Sequence, residues 1–278
     1  MIDLHLHTTA SDGRSTPSEL VALASAASLR VIAVTDHDTI ASFADVEACA
    51  HEGGIEVVAG IEVTAVADGR DVHVLGYFID PAHAHLAEFL VKQRASRVAR
   101  VETIGRRLSE LGVPIDVAQL MALAASQPGR SIGRPQVAHA MVAAGHVEDV
   151  QEAFDRWLAF GGPAFVPREG ATPEEVIFFI HEAGGLASLA HPGRTGVDGR
   201  IPAFHEAGLD ALEVHHPDHD ADEVERYAKL ARDLDLLLTG GSDFHGDPNH
   251  GHAPGAVTLP EAAWERLSAS RHRHARPR

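Results

Sequence analysis

One cysteine, Cys49, stands among 278 residues, so no disulfide can form within the chain and a reducing compartment is expected. Positive charge is scarce as well. Against 40 Asp and Glu there are 23 Lys and Arg, a formal net charge of −17, which argues against the broad basic surface that duplex DNA requires. No uninterrupted apolar run approaches the roughly 18 residues of a membrane span. Asp3 and His5 break the apolar pattern at the N-terminus, so no signal peptide is expected either. The expected location is the cytoplasm. Internal repeats and low-complexity segments are also lacking.

Histidine is what the chain has in excess, with 20 residues. An anionic substrate of an acidic protein needs a local source of positive charge, and the histidines point to bound metal as that source. With 45% hydrophobic residues and 25 Gly, the chain suits one large domain or a domain with an insertion.

Strand-like runs alternate with helical ones. MIDLHLH precedes a helix opened by TPSEL, where Thr16 is placed to cap, Pro17 suits the first turn and Glu19 completes a capping box. LRVIAVTDHD, a helix through SFADVEACAHEGG, and the strands IEVVAGIEVTA and VHVLGYFI follow. After a break the rhythm resumes with TPEEVIFFIHEAGG, LASLAHPG, IPAFHEAG, LDALEVHHP, DADEVERYAKLARDL and LLLTGGSDFHG. This alternation predicts an α/β fold, a mostly parallel sheet covered by helices and closed into a barrel. The break, residues 93–165, has helical spacing at Val98, Val101, Ile104 and Leu108 and no convincing strand, which predicts a small helical insertion domain. The barrel would then comprise residues 1–92 and 166–262, with 263–278 a helix end and a basic, solvated tail.

Functional residues of parallel barrels gather at the C-terminal ends of strands. His5 and His7 share one face of the first strand, since alternate side chains point the same way, and Asp12 follows in the loop. TDHD supplies Asp36, His37 and Asp38, GIE supplies Glu62, and VHVLGY supplies His73. LAHPG ends in His191, and GGSDFHG carries Asp243 and His245. Singly each means little, because a lone histidine is more often a surface or core residue. Together, imidazole and carboxylate groups on one rim are what a multinuclear metal centre needs.

DLHLHTTASDG, TDHD, GIE, HPGR and GSDFHG, in that order, resemble the motifs of the polymerase and histidinol phosphatase (PHP) superfamily of metal-dependent phosphoesterases. The resemblance implies a distorted seven-stranded TIM-like barrel. The helical insertion resembles the branch containing nucleoside 3′,5′-bisphosphate phosphatases and 5′-to-3′ exoribonucleases. Implied with it are two or three divalent ions, manganese first, with zinc or iron as alternatives. His5, His7, Glu62 and Asp243 would hold one, Asp12, His37 and His245 a second, and Glu62 with His73 and His191 a third. Three ions against the carboxylates of Asp12, Glu62 and Asp243 leave about +3 to attract phosphate. The implied reaction is attack by metal-bound hydroxide. It converts a 3′,5′-bisphosphonucleotide to a nucleoside 5′-monophosphate and phosphate, or trims short single-stranded RNA bearing a 5′-phosphate.

Asp12, His37, Asp38, Arg194 and His245 are the catalytic candidates. Asp36 and Asp38 flank His37 and could orient ligands or water, with turn and cap chemistry as the alternative. Arg194 in HPGR and Arg134 in GRPQVAHA are expected to clamp phosphate. Gln136 stands where relatives often have histidine; it can donate a hydrogen bond but carries no charge. His139, three residues on, reads as structural. His215 and His216 face opposite ways on a regular strand, so at most one reaches the rim, and Glu213, with the parity of His215, stays outside the ligand set together with it. His250 and His252 are read as loop residues, and the histidines at 51, 83, 85, 181 and 205 as solvent-facing. Two other readings compete. An amidohydrolase also pairs histidines on its first strand but lacks a ligand like Asp12, and a non-catalytic polymerase-associated module would be free to lose ligands that are all present here.

Overall fold

Seven strands make one sheet whose spatial order is its chain order in the computed structural model, which describes residues 1–247 and 252–274. They are β1 (Ile2–Leu6), β2 (Val31–Val34), β3 (Glu56–Ala67), β4 (Arg70–Tyr77), β5 (Leu186–Leu189), β6 (Ala211–His215) and β7 (Leu237–Gly240). A parallel bridge from Leu6 to Phe244 brings the end of β7 back to β1, and the His7 N–H donates to the Phe244 carbonyl at 2.9 Å. The result is a nearly closed, distorted barrel, as the sequence predicts.

Closure needs glycine. A Cβ on Gly241 would lie 2.4 Å from the His5 nitrogen, so no other residue lets the segment after β7 abut β1 this closely. Gly13 likewise lets the SDG turn fold back onto β1, since a Cβ there would meet the His7 carbonyl at 2.6 Å.

One strand departs from the parallel expectation. β4 pairs antiparallel with both β3 and β5, whereas β1 to β3 and β5 to β7 are parallel. No helix separates β3 from β4. Asp68 and Gly69 turn the chain with φ of 51° and 75°, the left-handed geometry of a tight hairpin.

Helices α1 (Pro17–Ala26) and α2 (Phe43–Gly53) cover β1 and β2, with Leu20, Val21, Val46 and Ala50 packed on Leu6, Ile32 and Val34. The capping box at Thr16 and Glu19 forms as read from TPSEL. Beyond the insertion come α7 (Pro173–Glu182), α8 (Pro192–Thr195), α9 (Ile201–Glu206), α10 (Ala221–Asp233) and α11 (Glu261–Ala269). Trp264 and Leu267 of α11 are buried against Ile2, Leu4 and Leu237, and His274 is tied to Asp210, so the C-terminal segment is held to the barrel at least that far.

Residues 84–158, which include most of the stretch expected as an insertion, form α3 (Ala84–Glu110), α4 (Val117–Ala125), α5 (Arg134–Ala143) and α6 (Val150–Ala153), with a π-helical turn at Phe154–Leu158. α3 has 27 residues, roughly 40 Å of helix, and runs unbroken through residue 93. Leu86, Phe89 and Leu90 pack in the barrel core with Ile61, Val63 and Ile177. Val101, Ile104 and Leu108, farther along, pack in a separate core with Leu120, Val137 and Met141. Among the described residues no helix is long and apolar enough to cross a membrane.

Candidate metal centre

All nine residues read from the sequence as metal ligands meet at one end of the barrel. Glu62 is at the centre. Its Oε2 lies 3.2 Å from His5 Nε2, His7 Nε2 and His37 Nδ1, and its Oε1 lies 2.7 Å from His73 Nδ1 and 3.1 Å from His191 Nε2. Asp243 Oδ1 is 3.3 Å from both His5 Nε2 and His7 Nε2. Asp12 bridges to His37 at 3.5 Å and to His245 at 3.3 Å. At this end three groups have ligand atoms mutually within 4.8 Å: His5, His7, Glu62 and Asp243; His7, Asp12, His37 and His245; and His37, Glu62 and His73; a fourth group among the described residues, His181, Asp210 and His274, lies elsewhere. His7 thus joins the second group and His37 the third, while His191 Nε2, 3.1 Å from Glu62 Oε1, falls outside the three groups.

The donor set fits divalent cations. Buried nitrogens His7 Nδ1 and Nε2, His37 Nδ1, His73 Nδ1 and His191 Nδ1 make no aligned hydrogen bond, although Glu62 oxygens lie within 3.2 Å of three of them, so lone pairs and carboxylates face a common space instead of pairing with one another. Imidazole and carboxylate without thiolate suit manganese, iron or zinc. Two tautomers are fixed for ligation. His5 Nδ1 donates to Glu213 Oε1 at 2.9 Å and His245 Nδ1 donates to the Asp243 carbonyl at 2.8 Å, so each directs the Nε2 lone pair at the cluster.

Electrostatics divide the imidazoles: the carboxylates raise His5, His7 and His245 above the usual imidazole value against their burial, whereas burial lowers His37 and His191. Burial holds His37 down to about 3 and His191 down to about 4 against the pull of Glu62, so both are neutral at pH 7. Burial also acts on His7, but the neighbouring carboxylates of Asp243, Glu62 and Asp12 outweigh it and push His7 up to about 10. Glu62 stays well below the usual carboxylate range because His37, His73 and His5 outweigh its burial. Asp243 and His191 take left-handed φ of 49° and 25°, and strain of this kind gathers at functional sites.

Glu213, which the sequence reading left outside the ligand set, belongs to none of these groups but holds two of the histidines in place. Besides His5 it accepts the His191 N–H at 2.7 Å, and so fixes residues from two strands. His216 also reaches the rim: its Nδ1 accepts the Asp218 N–H at 3.1 Å, which places the hydrogen on Nε2, 3.3 Å from Asp243 Oδ2. Strict alternation forbids Glu213 and His216 from sharing a face. An irregularity in the β6 to β7 register between Glu213 and His215 removes that restriction.

The cluster opens into a cavity of about 680 Å³ whose far wall comes from the insertion. Arg97, Arg100, Arg134 and Arg168 line it. Asp71 Oδ2 accepts from Arg100 at 2.8 Å and from Arg134 at 3.0 Å; Asp38 Oδ2 pairs with Arg97 and, at 3.0 Å, with Arg168. Arg134 is held down to about 10 by burial, opposed by Asp71, and so remains charged at neutral pH. Arg97, Arg100 and Arg168 escaped the sequence reading. Arg97 and Arg100 sit on one long helix and Arg168 lies past the insertion, and only the fold gathers them.

Two expected site residues have other tasks. Asp38, expected to act on ligand or water, has Oδ2 taken by the two arginines and Oδ1 by the Thr64 N–H, so it braces the arginine wall. Gln136, expected at the substrate, caps α5 by accepting the Gly133 N–H at 2.7 Å and donates to the Ser11 carbonyl at 2.9 Å, tying the insertion to the Asp12 loop. Asp36 proves to be turn chemistry, accepting from Thr8, Ser11 and Ser42. Arg194 does line the cavity, with Nη1 3.6 Å from Asp243 and 3.2 Å from Asp218. His139 and His252 line it too, whereas His250 lies outside the described residues. His181, read as solvent-facing, is half-buried against Asp210 at 2.8 Å, below the opposite end of the barrel.

Residues 3–164 match the PHP domain family. A 5′-3′ exoribonuclease of Haemophilus influenzae is 37% identical over 248 residues, 87% of this chain and 89% of that one. A 3′,5′-nucleoside bisphosphate phosphatase of Chromobacterium violaceum is 33% identical over 279 residues, 96% of each. A crystal structure from Bifidobacterium adolescentis, described as a metal-dependent phosphoesterase, superposes with a TM-score of 0.88 at 32% identity, covering 96% of this chain and 95% of the other.

Proposed function

The chain belongs to the PHP domain family and is a metal-dependent phosphoester hydrolase; from that premise we propose that it removes the 3′-phosphate of a nucleoside 3′,5′-bisphosphate and trims short single-stranded RNA bearing a 5′-phosphate. One observation supports this substrate class. Four arginines share two carboxylates on the wall facing the cluster, leaving two positive charges uncompensated, and the buried Arg100 Nη2 and Arg168 Nε donors have no acceptor. A substrate with phosphate groups at two separated positions suits both ends of the cavity at once.

Manganese is the proposed metal, held by His5, His7, Asp12, His37, Glu62, His73, His191, Asp243 and His245. Divalent ions there would supply Lewis acidity, bringing the pKa of water from 15.7 toward about 7 and drawing charge from phosphoryl oxygens. The remaining work falls to side chains. Glu213 and the Asp243 carbonyl orient the imidazoles of His5 and His245, and the depressed His37 and His191 need lose no proton to act as ligands. Arg194, 55% exposed in its side chain, can leave Asp218 for a phosphate oxygen bidentately. His216, whose Nε2–H stands 3.3 Å from Asp243 Oδ2 at the rim, is the proposed proton donor to the leaving oxygen. Arg100 and Arg134 receive the second phosphate, and Asp38 keeps Arg97 and Arg168 beside them. A cytoplasmic setting accords with the single cysteine.

The test is hydrolysis of adenosine 3′,5′-bisphosphate by manganese-loaded protein, with phosphate and nucleotide product identified. AMP is the expected product. In Arg134→Ala, KM for this substrate should rise about 10-fold or more, and KM for an aryl phosphate by less than about twofold. Equal effects would show that the arginine wall does not read a second phosphate.

A further inference from the structure

Arginine and phenylalanine side chains adjoin along a path leading out of the cavity. The Arg134 guanidinium carbon lies 5.7 Å from the Phe154 ring and 5.9 Å from the Phe165 ring, and that of Arg100 is 5.6 Å from Phe165. Phe165 meets Phe160 edge-on at 5.3 Å, and Arg70 covers Phe160 at 5.1 Å. The inner members, Phe154, Arg100 and Arg134, line the cavity, whereas Phe160 and Arg70 lie beyond its lining. Direction follows from β4. His73 of the cluster and Asp71, which holds Arg100 and Arg134, are two residues apart on one face, and Arg70 stands at the hairpin tip about 10 Å along the strand from His73. Arg70 also lies beside Gly196, two residues past Arg194.

Phe160 is the anomaly on this path. Its relative exposure is 61%, the highest of the exposed large hydrophobic residues among the described ones. Arg70 beside it is exposed and has no ion-pair partner among the described residues. A solvent-facing ring with an unneutralised guanidinium over it contributes little to the fold. It is, however, the pair of groups that single-stranded nucleic acid needs, a face for a base and a charge for the backbone.

We infer that Arg70, which stands beside Gly196 just past Arg194 on the side of the cleaved phosphate, and Phe160, which it covers, form a binding subsite for the nucleotides of a short RNA that lie 3′ of the cleaved bond. The inference rests on the RNA part of the function proposed above. A ligand confined to the cavity, such as a nucleoside bisphosphate, touches neither residue. The subsite therefore separates oligonucleotide from mononucleotide use of the same centre.

Wild type, Phe160→Ala and Arg70→Ala, each loaded with manganese, should be compared on 5′-phosphorylated tetraadenylate and on adenosine 3′,5′-bisphosphate. Both positions are exposed, so neither variant empties a core. Base stacking of ordinary strength predicts that Phe160→Ala loses about 5- to 30-fold in kcat/KM on the tetranucleotide and less than twofold on the bisphosphate. Phe160→Tyr, which keeps the ring, should restore the tetranucleotide rate. Equal losses on the two substrates, or none on either, overturn the inference. If wild type cleaves neither substrate, the functional reading fails instead. The subsite is then decided by the anisotropy of a 3′-labelled tetranucleotide, whose affinity must fall at least about fivefold in Phe160→Ala for the inference to stand.

Discussion

The two ends of the cavity are built on opposite principles. At the barrel end, buried imidazole nitrogens of His7, His37, His73 and His191 lack aligned hydrogen bonds around three carboxylates. At the insertion end, guanidinium donors outnumber the carboxylates that receive them, and two buried ones go unmatched. One end is short of cations, the other of anions. In a chain of net charge −17, this separation lets an anionic substrate be held without a basic surface.

The contrast breaks most sharply at Asp243. Its replacement by alanine removes the carboxylate shared by His5 and His7, so turnover should fall by at least about 10³-fold, the worth of several kcal/mol of metal assistance, and bound metal should drop. Unchanged metal content by elemental analysis would refute the assignment. Asp38→Ala attacks the other end. It leaves Arg97 and Arg168 buried without their carboxylate and should cost about 3–5 kcal/mol in denaturant unfolding while metal content holds. A stability equal to wild type would mean that Asp38 braces nothing.

A smaller effect sharpens the contrast through pH. Burial opposes protonation of His7, but Asp243 and Glu62 carry it from 6.5 up to about 10 in the metal-free protein. A raised value stabilises fully below the unfolded pKa and is lost as pH rises through the folded one, so the Tm of chelator-treated protein should fall between pH 7 and 10. Added manganese is expected to displace that proton and flatten the slope. Asp71 is lowered from 3.8 to about 2, because Arg134 and Arg100 outweigh its burial, so its contribution persists above 3.8 and fades only as pH falls toward 2. The arginine end should therefore add nothing to the alkaline slope. Parallel melting curves for loaded and stripped protein would erase the distinction.

Local pattern carried the barrel end into the sequence. His5 and His7 could be read because alternation on a strand is a local rule, and the seven strands could be read because each is an apolar run set off by turn residues or helical spacing. The direction of β4 had a signal too, the Asp68-Gly69 pair between two strands, and a reading that weighted it would have found the hairpin. Glu213 and His216 were obscured by a register irregularity that alternation cannot foresee. Arg168 and Asp38 are 130 residues apart, and their pairing is a property of the folded chain alone. Gln136 shows the converse: a residue noted for its place in a motif spends both ends of its amide on backbone groups.

α3 carries Arg97 and Arg100 near its midpoint, where it passes from the barrel core to the insertion core. A helix continuous across two cores is a mechanical shaft. Unwinding it at the junction would release Arg97 from Asp38 and Arg100 from Asp71 in the same event, so the insertion has little freedom to melt or swing separately from the barrel. Cooperativity is thereby written into the substrate wall: the arginines hold their posts for as long as the whole molecule remains folded.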